Sequence, residues 1–229
     1  MTIGFDNLAY NHEILLDLPF REGVGIITRD EAKPHHQDVD LINTPTWESL
    51  VSGLGVIDLN GTNEYLRLLA ASCADLDFTT GDYSLGIWFY VEPGASQMLM
   101  CRFQLDVSGW ELYHFTNLIL SLRHNHAGGV ADRTSCYSTG WANNTWHCMG
   151  ISRTGGGQAI HYRNGAPLVM VSELEDPETS PQNLYIGAGA GGTQNFVKGK
   201  LWRPRAWNRL LSAEEWACLF EYERTWFGV

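Results

Sequence analysis

The chain has 229 residues, of which 26 are acidic and 15 basic, giving a formal charge of −11. Charged residues make up only 18%, against about 25% in an average soluble protein; 24 glycines and nine each of Trp, Tyr and Phe take up the difference. This composition excludes a disordered chain, a nucleic-acid surface, which needs Lys and Arg to neutralise phosphates, and a membrane-spanning helix, since no window approaches the roughly 18 apolar residues one requires.

Residues 1–11 carry no basic stretch followed by an apolar one. The protein is therefore expected to be made in the cytoplasm without a signal peptide, with both termini held by packing. Alternation of apolar side chains, punctuated by glycine turns, dominates the rest of the chain. Tyr83, Leu85, Ile87, Phe89 and Val91 point one way and Ser84, Gly86, Trp88 and Tyr90 the other. Both faces are apolar, so the spacing predicts a central strand ending at Pro93-Gly94. Residues 110–115 and 118–123 predict two strands joined at Thr116-Asn117, with Leu118, Leu120 and Leu122 on one face. A further strand over 146–152 stops at Gly155-Gly156-Gly157. Strands over 159–163 and 166–171 flank Asn164-Gly165, a strong hairpin signal because both central residues of a type I′ turn need positive φ. Short strands are predicted at 183–187 and 196–207. Ser212-Ala213-Glu214-Glu215 is a capping box, and Trp216, Leu219 and Phe220 supply an apolar stripe, so one short C-terminal helix is predicted. Many short strands without alternating helices imply an all-β, antiparallel sandwich or barrel. No composition break marks a linker, so residues 1–229 are read as a single domain.

Segments in chain order resemble the laminin-G-like branch of the concanavalin A-like lectin/glucanase superfamily. The resemblance is carried by Leu16-Asp17-Leu18-Pro19-Phe20-Arg21-Glu22-Gly23, Pro45-Thr46-Trp47, residues 55–66, and Asp77-Phe78-Thr79 leading to Trp88. It continues through Trp146-His147, Tyr162-Arg163-Asn164-Gly165 and residues 199–215. It implies an antiparallel two-sheet jelly-roll sandwich, a fold used for sugar binding, adhesion and hydrolysis alike, so fold does not settle function.

Hydrolytic members carry two strand-borne carboxylates about 5 Å apart. The nearest pattern here, Glu173-Leu174-Glu175-Asp176-Pro177-Glu178, has Glu in place of the central Asp and a proline inside it, which confines it to a loop or edge. There is no GxSxG, HExxH, P-loop or helix-opening GxGxxG; the run GAGAGG at 187–192 reads as an inter-strand loop. No catalytic residue is assigned, and a glycoside hydrolase is the remote alternative. Cys73, Cys101, Cys136, Cys148 and Cys218 are an odd, irregularly spaced set, read as free thiols, and neither His35-His36 nor His124 with His126 completes a zinc pattern.

Laminin-G-like domains often hold calcium through an acid pair and loop carbonyls. Asp30, Asp38, Asp58, Asp75, Asp77 and Asp82 are loop candidates, but Trp202-Arg203 stands where the resemblance places the acid pair. No metal site and no cofactor are assigned, calcium being the one ion the loops could take; the acids otherwise cap turns.

Sugar binding calls for aromatic platforms flanked by polar side chains. Trp88, Trp146, Trp207 and Trp216 fall on core positions. Trp110, beside Ser108-Gly109, and Trp141, beside Asn143 and Asn144, stand next to turns and are the candidate ligand-binding residues, with satellite core as the other reading. Two functions fit these residues. The first is a non-enzymatic structural or accessory protein on a phage virion surface, as capsid decoration or tail component, with an adhesive role. The second is a soluble carbohydrate-binding lectin module. Protein partners in a homo-oligomeric assembly and cell-surface glycans are the expected partners, on the virion or outside the cell after lysis.

Overall fold

A computed structural model describes residues 8–32, 38–127, 133–136, 141–168 and 174–229. In chain order the strands begin with β1 (Ile14–Asp17), β2 (Ile27–Arg29), β3 (Asp38–Ile42), β4 (Thr46–Ser49), β5 (Gly55–Asn60) and β6 (Tyr65–Leu68). The middle of the chain supplies β7 (Tyr83–Val91), β8 (Gln97–Gln104), β9 (Ser108–His114), β10 (Leu120–His124) and β11 (Arg133–Cys136). Then come β12 (His147–Arg153), β13 (Ala159–Arg163), β14 (Ala166–Pro167), β15 (Leu184–Ile186), β16 (Lys198–Trp207) and the helix α1 (Ala213–Glu223). The described residues form two antiparallel eight-stranded sheets. One runs β14-β13-β12-β7-β16-β5-β4, with β1 also paired to β16; the other runs β11-β10-β9-β8-β15-β6-β3-β2. This is the jelly-roll sandwich with a single α-helix. Among the described residues no helix is long and apolar enough to cross a membrane.

The period-2 pattern of β7 explains how the layers assemble. Leu85, Ile87 and Phe89 face the second sheet, where Phe89 meets His114 of β9 at 6.1 Å between ring centroids. Ser84, Gly86 and Trp88 face outward, and α1 covers them. Gly86 pairs with Gly150 of β12, and together they leave a pit without side chains. The Trp216 indole fills it: a Cβ at Gly150 would stand 2.7 Å from the ring, too close for any larger residue without pushing the helix away. The capping box forms as predicted, Glu215 N–H donating to Ser212 Oγ and Ser212 N–H to Glu215 Oε2. At the opposite end of α1, Phe227 stacks on Trp88 with centroids 4.0 Å apart, which ties down the C-terminal tail; residues 1–7 lie outside those described.

The Asn164-Gly165 turn has φ of 50° and 77°, as a type I′ hairpin requires. Leu118 is not on the strand with Leu120 and Leu122; it occupies the turn, at φ 64°, and the hairpin strands stop at His114 and resume at Leu120. The strand read over 166–171 is two residues long where described, and 169–171 lie outside the described residues. Trp146 precedes β12 and is half-buried, its ring against Tyr90 and Phe227. The GAGAGG run is an inter-strand loop between β15 and β16, laid over the outer face of the second sheet. Gly192, at φ 63°, passes so close to Tyr65 that a Cβ would meet its ring at 2.3 Å. Cys73, Cys101, Cys148 and Cys218 are free thiols, the first three buried.

Candidate functional site

The two tryptophans expected at the surface are inside. Trp110 on β9 is 1% exposed, donates its indole N–H to Leu76 O at 2.9 Å and leans on Phe78. Trp141 is fully buried, stacked on Phe89 and edge-on to His147. Neighbouring turn residues show where the backbone reverses but not which way the indole points, and burying so large an apolar surface decides the direction. Asn143 is half-buried and Asn144 exposed in the turn before β12, without the platform they were expected to flank.

The aromatic surface that is open lies elsewhere. A cleft of about 750 Å³ sits beside the edge strand β4, between the chain's N-terminal segment and the end of α1. Its floor includes Trp202, 5% exposed, whose indole donates to Pro19 O at 3.1 Å. One wall is Trp47 of β4. Its ring is fixed edge-on to Phe20 at 6.3 Å and its N–H donates to Gly25 O at 2.9 Å. The other wall is Tyr222 and Trp226, which are 64% and 45% exposed. On α1 the buried stripe is Trp216, Leu219 and Glu223; Tyr222, in its last turn, and Trp226, in the 3-10 turn Arg224–Trp226 that follows, both line the cleft. Gly23, Gly53, Gly55, Arg21, Glu48 and Ser49 also line it.

Beneath the cleft is a buried charged network made by a β-bulge. The register of β16 against β7 slips between Trp202 and Arg205, with Arg203 at φ 50°, so Trp202 and Arg205, three residues apart, pair with Trp88 and Gly86 and share the outward face instead of opposite ones. Arg203 donates Nε and Nη2 to Asp17 at 2.8 and 3.0 Å and Nη1 to Glu223 at 2.8 Å. Arg205 binds both oxygens of Glu223 at 2.9 and 2.8 Å, and Trp88 Nε1–H adds a fourth donor at 2.8 Å. Burial works against the Arg203 charge, but Asp17 and Glu223 outweigh it and hold the guanidinium firmly protonated. Trp202-Arg203, read from sequence as the loss of an acid pair, is thus the floor of the cleft and the centre of this network.

Of the candidate calcium ligands, Asp30, Asp38, Asp77 and Asp82 have partners within the chain. Asp77 pairs with Arg102 at 2.9 Å and accepts from Ser180 N–H; Asp82 caps Gly155 N–H; Asp38 lies 3.8 Å from Arg29. Asp30 accepts the N–H groups of Asp17 and Ala32, and burial pushes its carboxyl up to about 8 against those bonds. Asp58 is raised by burial as well. Among the described residues no three His, Cys, Asp or Glu side chains group to hold a metal ion; His35 and His36 lie outside those residues. Glu173 also lies outside them, while Glu175 and Glu178 are exposed in irregular chain around a buried Pro177, not on a strand.

Trp226 and Tyr222 were legible only as aromatics placed off the helix's apolar stripe, and Trp47 only as part of a motif. Their convergence with Trp202 depends on the three-dimensional path of the chain.

Residues 60–216 match the laminin-G-type family model described as concanavalin A-like lectin/glucanases superfamily. No curated protein sequence matches the chain. Among solved structures, the chain is similar to the receptor-binding domain of botulinum neurotoxin D, with TM-score 0.71 and 13% identity over 94% of this chain and 54% of that one. It is similar to a botulinum neurotoxin type C structure, described as showing cell entry dependent upon interaction with two ganglioside molecules, with TM-score 0.72 and 12% identity over 96% and 53%. The binding domain of botulinum neurotoxin DC in complex with SialylT gives TM-score 0.70 and 12% identity over 93% and 51%. The chain spans about half the length of these structures, and at this identity the likeness is one of fold.

Proposed function

The chain belongs to the concanavalin A-like lectin/glucanases superfamily, and on that premise we propose that it is a recognition module that binds carbohydrate in the aromatic cleft without chemistry. The observation that carries the reading is the facing arrangement of Trp47 with Tyr222 and Trp226 above Trp202. A pyranose has an apolar face and a rim of hydroxyls. Exposed rings beside backbone and Ser49 polar groups offer it a stacking surface and hydrogen-bond partners, in a cleft of the size small-molecule sites occupy. The ganglioside and SialylT ligands named for the toxin structures support a sugar-binding use of this architecture. Trp226→Ala is expected to abolish binding on a glycan array while leaving thermal unfolding within a few degrees of the parent, because the ring is already 45% exposed. Retained binding would overturn the assignment.

We place the module in an assembly, as a capsid decoration or tail component on a phage virion. Val24, Ile26 and Val51, exposed by 75%, 66% and 110%, support a surface that meets protein. Sedimentation at high concentration is expected to show a homo-oligomer, and a strict monomer would count against this setting.

A further inference from the structure

The charges around the cleft are already spent on one another. Arg203 is held by Asp17 and Glu223, and Glu48 reaches Lys200 Nζ at 2.8 Å. Arg21, the remaining lining cation, lies 3.1 Å from Glu31. The two lining cations, Arg21 and Arg203, and the two lining acids, Glu48 and Glu223, cancel; the chain as a whole carries −11.

Resting on the carbohydrate reading of this cleft, we infer that its ligands are uncharged glycans and that anionic sugars are excluded. A carboxylate or sulfate reaching the cleft floor loses its hydration and finds no guanidinium free there to take a bidentate pair, since Arg203 is already paired. Arg21, 66% exposed and 3.1 Å from Glu31, stands at the solvated rim where screening makes a charge contact weak. To engage Arg203 it must compete with Asp17, which already binds that side chain through two nitrogens inside the protein. The negative field of the chain adds repulsion at long range. A neutral pyranose meets neither obstacle, because ring stacking and hydroxyl hydrogen bonds require no counter-charge. Binding of this kind is nearly independent of ionic strength, since no exposed ion pair forms.

The test is an array and calorimetric series of neutral gluco-, manno- and galacto-configured tetrasaccharides, each compared with the same chain ending in a sialic acid or bearing a sulfate. Parent protein and Trp226→Ala are measured at low and high salt. The expected result is that one or more neutral chains bind, that the anionic end-group weakens binding by roughly tenfold or more, and that affinity for the neutral chain changes by less than about twofold with salt. If an anionic glycan binds more tightly than its neutral parent and Trp226→Ala abolishes that binding, the cleft takes sugars but the exclusion of charge is wrong. If no glycan of either kind binds, or binding persists unchanged in Trp226→Ala, the carbohydrate reading of the cleft fails, and this inference with it. Near-ultraviolet circular dichroism of Trp226→Ala confirms that the loss is not one of folding.

Discussion

Truncating Glu223 to alanine is expected to lower the free energy of unfolding by about 3–5 kcal/mol, the cost of leaving a buried charge without its partner. The carboxylate accepts four hydrogen bonds, from Arg203, from both terminal nitrogens of Arg205, and from the Trp88 indole, and it is 1% exposed. The two arginines are not equally exposed to its loss. Arg203 keeps its two bonds to Asp17, whereas Glu223 supplies both of the carboxylate bonds Arg205 makes. The penalty therefore falls on Arg205, and the double variant Arg205→Met with Glu223→Met should cost less than Glu223→Ala alone. Urea unfolding at neutral pH with an unchanged m-value would read both. A loss of less than about 1 kcal/mol in Glu223→Ala would show that water reaches the guanidinium and that the site is not dry. Since Glu223 and Arg203 line the cleft, the same variant should weaken ligand binding through the position of Trp202.

Stability is expected to fall as the pH is lowered from 7 to 5, by on the order of 4 kcal/mol in total. Burial pulls His114 and His161 down to about 4 and His124 to about 3, and lowers His147 as well. The Oη of Tyr83 lies 2.6 Å from His124 Nε2, and His114 and His147 both lie against Phe89 between the sheets. In the unfolded chain His114, His161 and His124 each take up a proton near pH 6.5, while in the folded protein these three do not until about 4, 4 and 3. Their contribution is whole above pH 6.5 and drains away as the pH falls toward the folded values, at roughly 2 kcal/mol per histidine by pH 5. Asp30 acts in the opposite sense. Held up near 8, it is protonated in the fold while ionised in the unfolded chain, so it gives stability back as the pH falls and offsets about one histidine. Chemical denaturation at a series of pH values measures the sum. A flat or rising profile between pH 7 and 5 would mean that the histidines are hydrated or paired in the fold.

The strands, turns and helix cap could be read wherever the determinant is local. Tyr83–Val91 declares itself because both sets of alternate residues are apolar, Asn164-Gly165 because two consecutive residues tolerate positive φ, and α1 because Ser212 and Glu215 satisfy each other's amides. The short strands before residue 70 were not read from the sequence, where only motifs of the family resemblance marked that region, since three to six residues give alternation little room. The site was harder for a different reason. Arg203 and Asp17 are 186 positions apart, so the replacement of an acid pair by Trp202-Arg203 could be seen while its partner could not. Trp110 and Trp141 were marked by flanking turns, yet both indoles are turned into the core by the elements packed over them. Tyr222 and Trp226 become a wall only once the N-terminal segment has come to lie opposite them.

The pairing of β1 with β16, in which Ile14 meets Trp207 and Asp17 meets Arg205, has a kinetic consequence. β1 finds its neighbour only after β2 to β15 and then β16 have been synthesised, so the first sheet cannot close co-translationally until β16 emerges. Contacts of such long sequence separation place the protein among slow folders, with relaxation of milliseconds to seconds expected for topologies of this kind. The cleft draws its walls from both of those late-meeting regions, so recovery of binding during refolding would track the slowest folding phase and could serve as its probe.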